Sequence, residues 1–175
     1  MTYRVVGWST GGVGRLAIRA IARRPDLELA GVWVHSAEKD GVDAGTLAGI
    51  DPVGVAATTD ADALLAAKPD CVCYSAWGEE MDAAAVPDMV KMLEAGINVV
   101  TVSTPGLVHP AGYQPEWRAQ LEEAATRGDA TLYASGIEPG FAGDQLPLTL
   151  MTMSDTVSSV RTQEIFLYDE YPSRS

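Results

Sequence analysis

The chain has 175 residues, of which 47% are apolar, and its 24 acidic residues against 12 basic ones give a formal net charge of −12. This length suits one domain and the start of another, with enough buried surface for a proper core. The negative charge argues against nucleic acids and anionic membranes as partners, because both require a basic surface. The sequence has neither an apolar run of about 20 residues nor an amino-terminal signal pattern, so we expect a cytoplasmic protein.

A glycine-rich stretch near the amino terminus, YRVVGWSTGGVG over residues 3–14, is the first functional signal. An apolar run stops at Gly7 and a helical pattern starts at Val13, which predicts a strand, a turn and a helix. In such a turn the backbone can approach a pyrophosphate, and the free amides and the dipole of the helix favour the anion. The pattern G-x-G-x-x-G is met only in part, because Ser9 stands where the first glycine would be. An ordinary glycine-rich turn is the alternative interpretation.

The residues of this turn and the arginine that follows it are the first candidate ligands of a dinucleotide: Ser9, Thr10, Gly11, Gly12, Val13, Gly14 and Arg15. Arg15 is included because a polyanionic cofactor on an acidic protein needs a local basic pocket. Three further arginines, Arg19, Arg23 and Arg24, are interpreted as a solvated helix face.

The segment LELAGVWVHS, residues 27–36, predicts the second strand. An acidic residue about 20 positions beyond the glycine turn usually binds the ribose of NAD. Here His35 and Ser36 occupy that region and Lys39 follows, and these groups tolerate or bind a 2′-phosphate that a carboxylate would repel. The sequence therefore favours NADP, with NAD as the other possibility. In the alternative interpretation His35 caps the strand and Lys39 is solvated beside Glu38.

Up to residue 135 the sequence continues to alternate between strand patterns and helix patterns. Helices are predicted over residues 43–49, 60–68, 78–96 and 115–128, and strands over residues 54–57, 70–76, 97–103 and 130–135. Six strands alternating with five helices predict an α/β fold with a doubly wound parallel sheet of the Rossmann type, whose ligand crevice lies at the carboxyl ends of the strands. The segment INVVTVS, residues 97–103, is apolar without alternation, which predicts a strand covered on both faces.

The two cysteines, Cys71 and Cys73, lie two residues apart on a predicted strand, so their side chains point the same way. We interpret them as small buried apolar residues in a reducing compartment. No metal site is expected, because the sequence offers no cluster of third and fourth ligands.

The region after residue 135 has a different pattern. Residues 136–154 predict a turn and an apolar helix that leads away from the sheet, and residues 156–171 predict an extended strand. We therefore divide the chain into a dinucleotide-binding domain, residues 1–140, and a connecting helix with the start of a truncated second domain, residues 141–175. The sequence leaves open whether the truncation is natural, reflects expression of only part of a gene, or comes from one half of a split gene.

Five segments together resemble the dihydrodipicolinate reductase-like family, the relatives of 2,4-diaminopentanoate dehydrogenase and of the native amine dehydrogenases: YRVVGWSTGGVG, GVWVHS, DAGTLAG, GIEPGFAGDQLP and SVRTQEIF. The likeness extends over essentially the whole chain in order. It implies an amino-terminal Rossmann domain that binds NAD(P)H and the first strand of a carboxyl-terminal α+β domain. It also implies a homodimer for the full-length form.

The resemblance implies roles for individual residues. Residues 9–14 match the pyrophosphate loop, and residues 35, 36 and 39 match the region that reads the adenosine ribose. Ala76 and Thr104 match loops that approach the nicotinamide. One departure concerns residues 103–107, STPGL, where amine-specific members place a glutamate and this chain has none.

The expected chemistry is hydride transfer to an imine or carbonyl carbon of a small molecule, with the protein placing a proton donor. Candidate donors are His109, in the loop after the fifth strand, Glu138, beside Pro139, and Tyr74. His109 could equally be a loop residue without a catalytic role, and Glu138 could be a helix-capping acid. The alternative function is a non-catalytic NAD(P)-binding module, or a truncated remnant, that works through a partner.

Overall fold

The computed structural model describes residues 1–77, 81–165 and 167. Its strands are β1 (Tyr3–Trp8), β2 (Leu27–Trp33), β3 (Ala57–Thr58), β4 (Cys71–Tyr74), β5 (Asn98–Thr101) and β6 (Leu132–Ala134). Its helices are α1 (Gly12–Arg23), α2 (Ala44–Ala48), α3 (Ala61–Ala66), α4 (Met81–Glu94), α5 (Pro115–Gly128) and α6 (Leu146–Met151). The predicted start of the fourth helix at residues 78–80 lies outside the described residues.

The six strands form one parallel sheet in the order β3-β2-β1-β4-β5-β6. The predicted α/β fold with a doubly wound sheet is therefore confirmed. The chain leaves β3 at one edge and returns beside β1, so the strand order reverses between β1 and β4. In folds of this class the ligand crevice opens at that point, outside the carboxyl ends of the strands.

Two apolar cores lie on opposite faces of the sheet. One contains Val6, Val72 and Val99 with Met89 of α4 and Leu121 of α5. The other lies beneath α1 and α2 and contains Ile18, Val32 and Ala44, among others. The sheet is thus covered on both faces at β1 and β2, which fixes the glycine-rich turn between two packed elements. Among the described residues, no helix combines the length and apolar character needed to cross a bilayer.

The expectation that the fifth strand is covered on both faces was wrong. Val99 and Thr101 of β5 are each 1% exposed, but Val100 and Val102 point to the other face and are 39% and 38% exposed. The physical reason is the position of the helices. α4 and α5 lie on one face of β4 and β5, whereas α1 and α2 lie over β1, β2 and β3 on the other.

The predicted strand over residues 156–171 was also not found. Residues 156–165 and 167 have no regular secondary structure and are exposed, while residues 166 and 168–171 lie outside the described residues. A strand needs the edge of a sheet as a partner, and the described part of the chain places none beside this segment.

The interpretation of Arg19 as a solvated residue was wrong as well. Its Nε donates a hydrogen bond to the Ala48 carbonyl at 2.6 Å, and its side chain is partly buried. Arg19 therefore caps the carboxyl end of α2 and ties that short helix to α1.

The loop that leads into β3 is organised around one carboxylate. Asp43 precedes α2 and accepts backbone hydrogen bonds from Gly45, Thr46, Val53 and Gly54 at 2.8–3.2 Å. Partial burial raises the pKa of Asp43, but the four amide donors outweigh that effect and hold its pKa below the ordinary value. The predicted helix over residues 43–49 is confirmed, with Asp43 at its start and Gly49 in the left-handed conformation at its end.

Because the folded state lowers the pKa of Asp43, this carboxylate should stabilise the fold above about pH 4 and stop doing so as acid protonates it. We expect Asp43→Asn to lower the urea midpoint at pH 7, and the difference from the parent protein to shrink at pH 3. The control is Asp51→Asn, which removes an exposed acid of the same loop. If Asp43→Asn lowers the urea midpoint by the same amount at pH 7 and at pH 3, the charge of this carboxylate does not stabilise the fold.

Candidate functional site

The glycine-rich turn joins β1 to α1 by a sharp change of direction at Ser9. This residue has a φ of 100°, a conformation that side-chain-bearing residues rarely adopt. Its hydroxyl accepts a hydrogen bond from the Gly11 amide at 3.3 Å. A Cβ atom added to Gly14 would lie 2.2 Å from the Ser9 carbonyl oxygen, so only glycine allows the first turn of α1 to pack this closely on the loop.

The amino end of α1 is left open toward the crevice. The first backbone bond of the helix runs from the Arg15 amide to the Gly11 carbonyl at 3.0 Å, and among the described residues no side chain caps this end. A Cβ atom added to Gly12 would meet no protein atom within 4 Å. The amides of the first turn therefore face free space with the positive end of the helix dipole behind them, which suits an anion.

Two cations converge on the buried residue Thr10. Arg15 Nε donates to the Thr10 carbonyl oxygen at 3.2 Å, and Lys39 Nζ donates to the Thr10 hydroxyl at 3.3 Å. The structure thus brings Lys39, which follows β2, against the glycine-rich turn that follows β1. This contact was not predicted, because 29 residues of sequence separate its members.

The other residues predicted at the end of β2 lie around Lys39. His35 is exposed and its ring is tilted against Trp33 at a centroid distance of 6.1 Å. Ser36 donates to the Glu38 carboxylate at 3.4 Å. Asp40 accepts from the Thr59 amide at 2.7 Å, so the acids that flank Lys39 each have a hydrogen-bond donor of their own.

The positive φ at Ser9 leads to a test of the loop itself. Ser9→Val should lower the free energy of unfolding by about 1–3 kcal/mol, because a β-branched residue is strained at this φ. Ser9→Gly should leave stability unchanged or raise it by up to about 1 kcal/mol, because relief of strain outweighs the loss of one exposed hydrogen bond. Urea denaturation measures both changes. If Ser9→Val and Ser9→Gly lower the free energy of unfolding equally, the loss of the hydroxyl, rather than backbone strain, accounts for the change.

Hydroxyl groups line the carboxyl ends of β4 and β5. Ser75 Oγ donates to the Trp8 carbonyl at 3.2 Å and lies 3.0 Å from the position of a Cβ atom on Gly14, so it braces the end of β1. Ser103 and Thr104 are 2% and 0% exposed, and within the described structure their hydroxyls have no hydrogen-bond partner. Buried hydroxyls without partners are costly, so these two groups are available to a polar ligand at this loop. Ala76 is partly buried next to Ser75.

Tyr74 is not available as a proton donor to the crevice. Its ring stacks with Trp8, which stacks in turn with Trp33, and the three lie in register on neighbouring strands. Its hydroxyl donates to Asp88 of α4 at 3.1 Å. Burial and the Asp88 carboxylate raise the pKa of Tyr74. The residue is therefore part of the core beneath α4, a position that its place at the end of a strand did not reveal.

The two remaining candidate donors lie on loops at the same edge of the sheet. His109 stands between the single turns Pro105–Val108 and Pro110–Gly112, and its exposed ring lies over Gly112. Glu138 is exposed in the turn after β6, where its carboxylate lies against Gly143. It also lines a hollow of about 270 Å³ together with Thr162, Gln163 and Glu164.

The fold and the glycine-rich turn define a Rossmann-type domain. The family model for the amino terminus of dihydrodipicolinate reductase matches residues 1–135, and the chain belongs to this family. An amine dehydrogenase of Streptomyces virginiae is 42% identical over 167 residues, which cover 95% of this chain and 46% of that protein. A 4-hydroxy-tetrahydrodipicolinate reductase of Anaeromyxobacter dehalogenans is 30% identical over 128 residues, which cover 73% of this chain and 43% of that protein.

A solved structure of amine dehydrogenase from Mycobacterium smegmatis superposes with a TM-score of 0.76 at 25% identity, covering 90% of this chain and 46% of that one. These findings confirm the family resemblance seen in the sequence. The chain spans about half the length of the relatives it matches.

Proposed function

We propose that this chain is the nicotinamide dinucleotide-binding domain of an oxidoreductase that transfers a hydride to an imine or carbonyl carbon. The observation that carries the proposal is the packing of Gly14 against the Ser9 carbonyl, with the open amino end of α1 beside it. This geometry holds several backbone amides toward one point in the crevice. Membership of a family of reductases, and similarity to amine dehydrogenases, support the same conclusion.

The residues present fit such a cofactor at both ends of the crevice. Residues 9–14 would hold the pyrophosphate, because Gly12 faces open space where a side chain would obstruct it. The buried hydroxyls of Ser103 and Thr104 would find partners in a polar group such as the nicotinamide carboxamide, and Ala76 would lie beside the same ring. Loops after β1, β4 and β5 would thus hold a single extended ligand across the switch point of the sheet.

We further propose that NADP(H) is preferred to NAD(H). Lys39 and Arg15 both contact Thr10, so two cations lie beside the turn that would hold the pyrophosphate, and the adenosine ribose would follow next to them. His35 and Ser36 lie at the same strand end, while Glu38 and Asp40 are engaged by other donors. A 2′-phosphate would meet Lys39 as a charge-assisted hydrogen-bond donor, which NAD(H) cannot use.

When bound, the cofactor supplies the hydride, and the chain's residues orient its ring, exclude water and manage a proton. The buried residues that follow β4 and β5, Ser75, Ser103 and Thr104, would lie beside the ring. His109 and Glu138 are the proposed proton donors, because both lie on loops at the carboxyl edge of the sheet. We propose that the remaining substrate contacts come from the second half of the family's length, that residues 1–140 form the cofactor domain, and that residues 141–175 connect it to that half.

A second candidate function is a nucleotide-binding module without catalysis. It is favoured by the loop of residues 103–107, which has no carboxylate to handle an amine substrate. Both candidates require the cofactor to bind, so binding is tested first.

The test is a calorimetric titration of the purified chain with NADPH and then with NADH at one salt concentration. We expect NADPH to bind tightly and NADH to bind more weakly. Binding of neither would overturn the proposed cofactor domain. Equal affinities would overturn the NADP preference and leave a nicotinamide dinucleotide as the ligand.

A further inference from the structure

Four buried side-chain oxygens that have no hydrogen-bond partner among the described residues lie on the loop after β5 or at the start of α4. They belong to Ser103, Thr104, Tyr113 and Asp82. The proposed contacts to the nicotinamide use the first two and leave the other two unexplained. Because buried polar groups normally have partners, Tyr113 and Asp82 point to a further role of the same loop.

Tyr113 lies at the centre of the packing of this loop. The residue is 7% exposed. A Cβ atom added to Gly106 would lie 2.7 Å from the Tyr113 ring, so the ring rests directly on the backbone of the turn Pro105–Val108. The ring also packs against Trp117 of α5, with the ring centroids 5.9 Å apart. Tyr113 therefore joins the loop after β5 to the first turn of α5.

The Tyr113 hydroxyl lies beside the Asp82 carboxylate of α4. Burial and this carboxylate raise the pKa of Tyr113, so the hydroxyl stays protonated and can donate. Tyr113 Oη and Asp82 Oδ1 are both buried, and within the described structure neither has another partner. A hydroxyl next to a carboxylate, both shielded from water, favours a hydrogen bond between them, because leaving either group unpaired is costly.

The same loop carries one of the proposed proton donors. His109 stands between the two single turns of the loop, and its ring lies over Gly112, the residue before Tyr113. A shift of the Tyr113 ring would release the turn that begins after Thr104. A shift of its backbone would move Gly112 beneath His109. The placement of both ends of the loop therefore depends on Tyr113.

We infer that Tyr113 is a positioning residue for the nicotinamide end of the crevice, and that Asp82 is the acceptor that fixes it. A hydrogen bond between them ties the loop after β5 to the helix that follows β4, and so sets the spacing of the two loops beside the ring. The inference rests on the proposed function, because Ser103, Thr104 and His109 serve it only if a cofactor binds beside them.

The test compares variants that differ in this hydrogen bond alone. Tyr113→Phe removes the hydroxyl and keeps the ring on Gly106 and Trp117. Asp82→Ala removes the acceptor, whereas Asp82→Asn keeps an acceptor oxygen and should restore the parental behaviour. The control is Tyr133→Phe, which removes the hydroxyl of an exposed tyrosine on β6. Circular dichroism shows which variants fold.

The first measurement is the calorimetric affinity for NADPH and for adenosine 2′,5′-bisphosphate, which lacks the nicotinamide and its ribose. We expect Tyr113→Phe and Asp82→Ala each to weaken NADPH binding about tenfold, as the loss of about one hydrogen bond to a charged group does. Binding of the bisphosphate should stay within about twofold of the parent, because that ligand does not reach the loop after β5. The double variant should lose no more than either single variant, since both remove the same bond.

The second measurement needs no ligand. The chain has two histidines, so the ring signals of His109 can be followed by NMR beside those of His35 and assigned with His35→Gln. We expect the His109 signals to shift in Tyr113→Phe and in Asp82→Ala, while those of His35 stay in place. Asp82 lies on another element than His109, so a shift in Asp82→Ala reports a change carried through the loop.

Two results would contradict the inference. One is a folded Tyr113→Phe or Asp82→Ala variant whose His109 signals do not move. The other is a loss of NADPH affinity no greater than the loss of affinity for the bisphosphate, which would reduce the effect to one of general stability. If the parent protein binds neither ligand, the proposed cofactor domain fails, while the His109 signals still decide whether Tyr113 and Asp82 hold the loop.

Discussion

Replacing Gly14 by alanine should weaken NADPH binding at least 100-fold and lower the free energy of unfolding by about 1–3 kcal/mol. The added methyl would lie 2.2 Å from the Ser9 carbonyl oxygen and 3.0 Å from Ser75 Oγ. Backbone atoms cannot rotate away as a side chain can, so the first turn of α1 must move by about 1 Å. A misplacement of about 1 Å costs about 100-fold in enzyme reactions that require exact positioning, and we expect an effect of that order where several amides must converge on one anion.

Gly12→Ala, two residues earlier in the same turn of helix, is the matched control for stability, although its methyl would itself obstruct the pyrophosphate and weaken NADPH binding. Its methyl would meet no protein atom within 4 Å, and alanine is the better helix former by up to about 1 kcal/mol. This variant should therefore fold at least as stably as the parent protein. Calorimetry and urea denaturation of the two variants separate damage to the loop from obstruction of the ligand. A Gly14→Ala protein with parental stability and affinity would refute the role given to this contact.

The parts of the fold that local chemistry decides were predictable from the sequence. The helix predicted from Asp60 begins with that residue, whose side chain accepts from the Ala63 amide at 2.9 Å, and the helix predicted over residues 43–49 forms α2. Such signals act within four residues and depend little on tertiary context. The alternation of strands and helices then limits the topologies to a few, which is why the sheet was predicted correctly.

Features that depend on how the helices pack on the sheet and on one another could not be predicted from the sequence. The apolar residues of β5 predicted a strand covered on both faces, but a sequence pattern does not show which helix lies over a strand, and Val100 and Val102 are exposed in the described structure. Arg19 looked like a solvated residue because its partner, the Ala48 carbonyl, is 29 residues away. Tyr74 looked available because its partner Asp88 lies on a helix whose packing cannot be read from periodicity.

The candidate site also has features that the sequence predicts and features that only the folded chain shows. The near-match to the glycine pattern located the turn, because close backbone approach requires residues without side chains at particular spacings. It could not show that Ser9 adopts a positive φ, nor that Thr10 is the point where Arg15 and Lys39 meet. The unpartnered hydroxyls of Ser103 and Thr104 depend on the burial of a whole loop, which only the folded chain defines.

Replacing Lys39 by alanine should weaken NADPH binding about 10–100-fold and leave NADH binding nearly unchanged. The Lys39 ammonium lies 3.3 Å from the Thr10 hydroxyl, beside the turn that would hold the pyrophosphate. A hydrogen bond between an ammonium and a phosphate contributes about 1.5–3 kcal/mol, and only the 2′-phosphate of NADPH would accept it. Calorimetric titrations of the variant with both cofactors measure the selectivity directly.

Arg23→Ala is the control for a change in net charge, because it removes an exposed cation from the last turn of α1, away from the crevice. It should alter neither affinity by more than about twofold, since exposed charges beyond about 10 Å are largely screened at 0.1 M salt. In the parent protein, the preference for NADPH over NADH should also decrease as the salt concentration is raised. The reason is that Lys39 is only partly buried, so salt screens its charge. An equal loss of NADPH and NADH affinity in Lys39→Ala would show that Lys39 supports the loop through Thr10 rather than reading the phosphate.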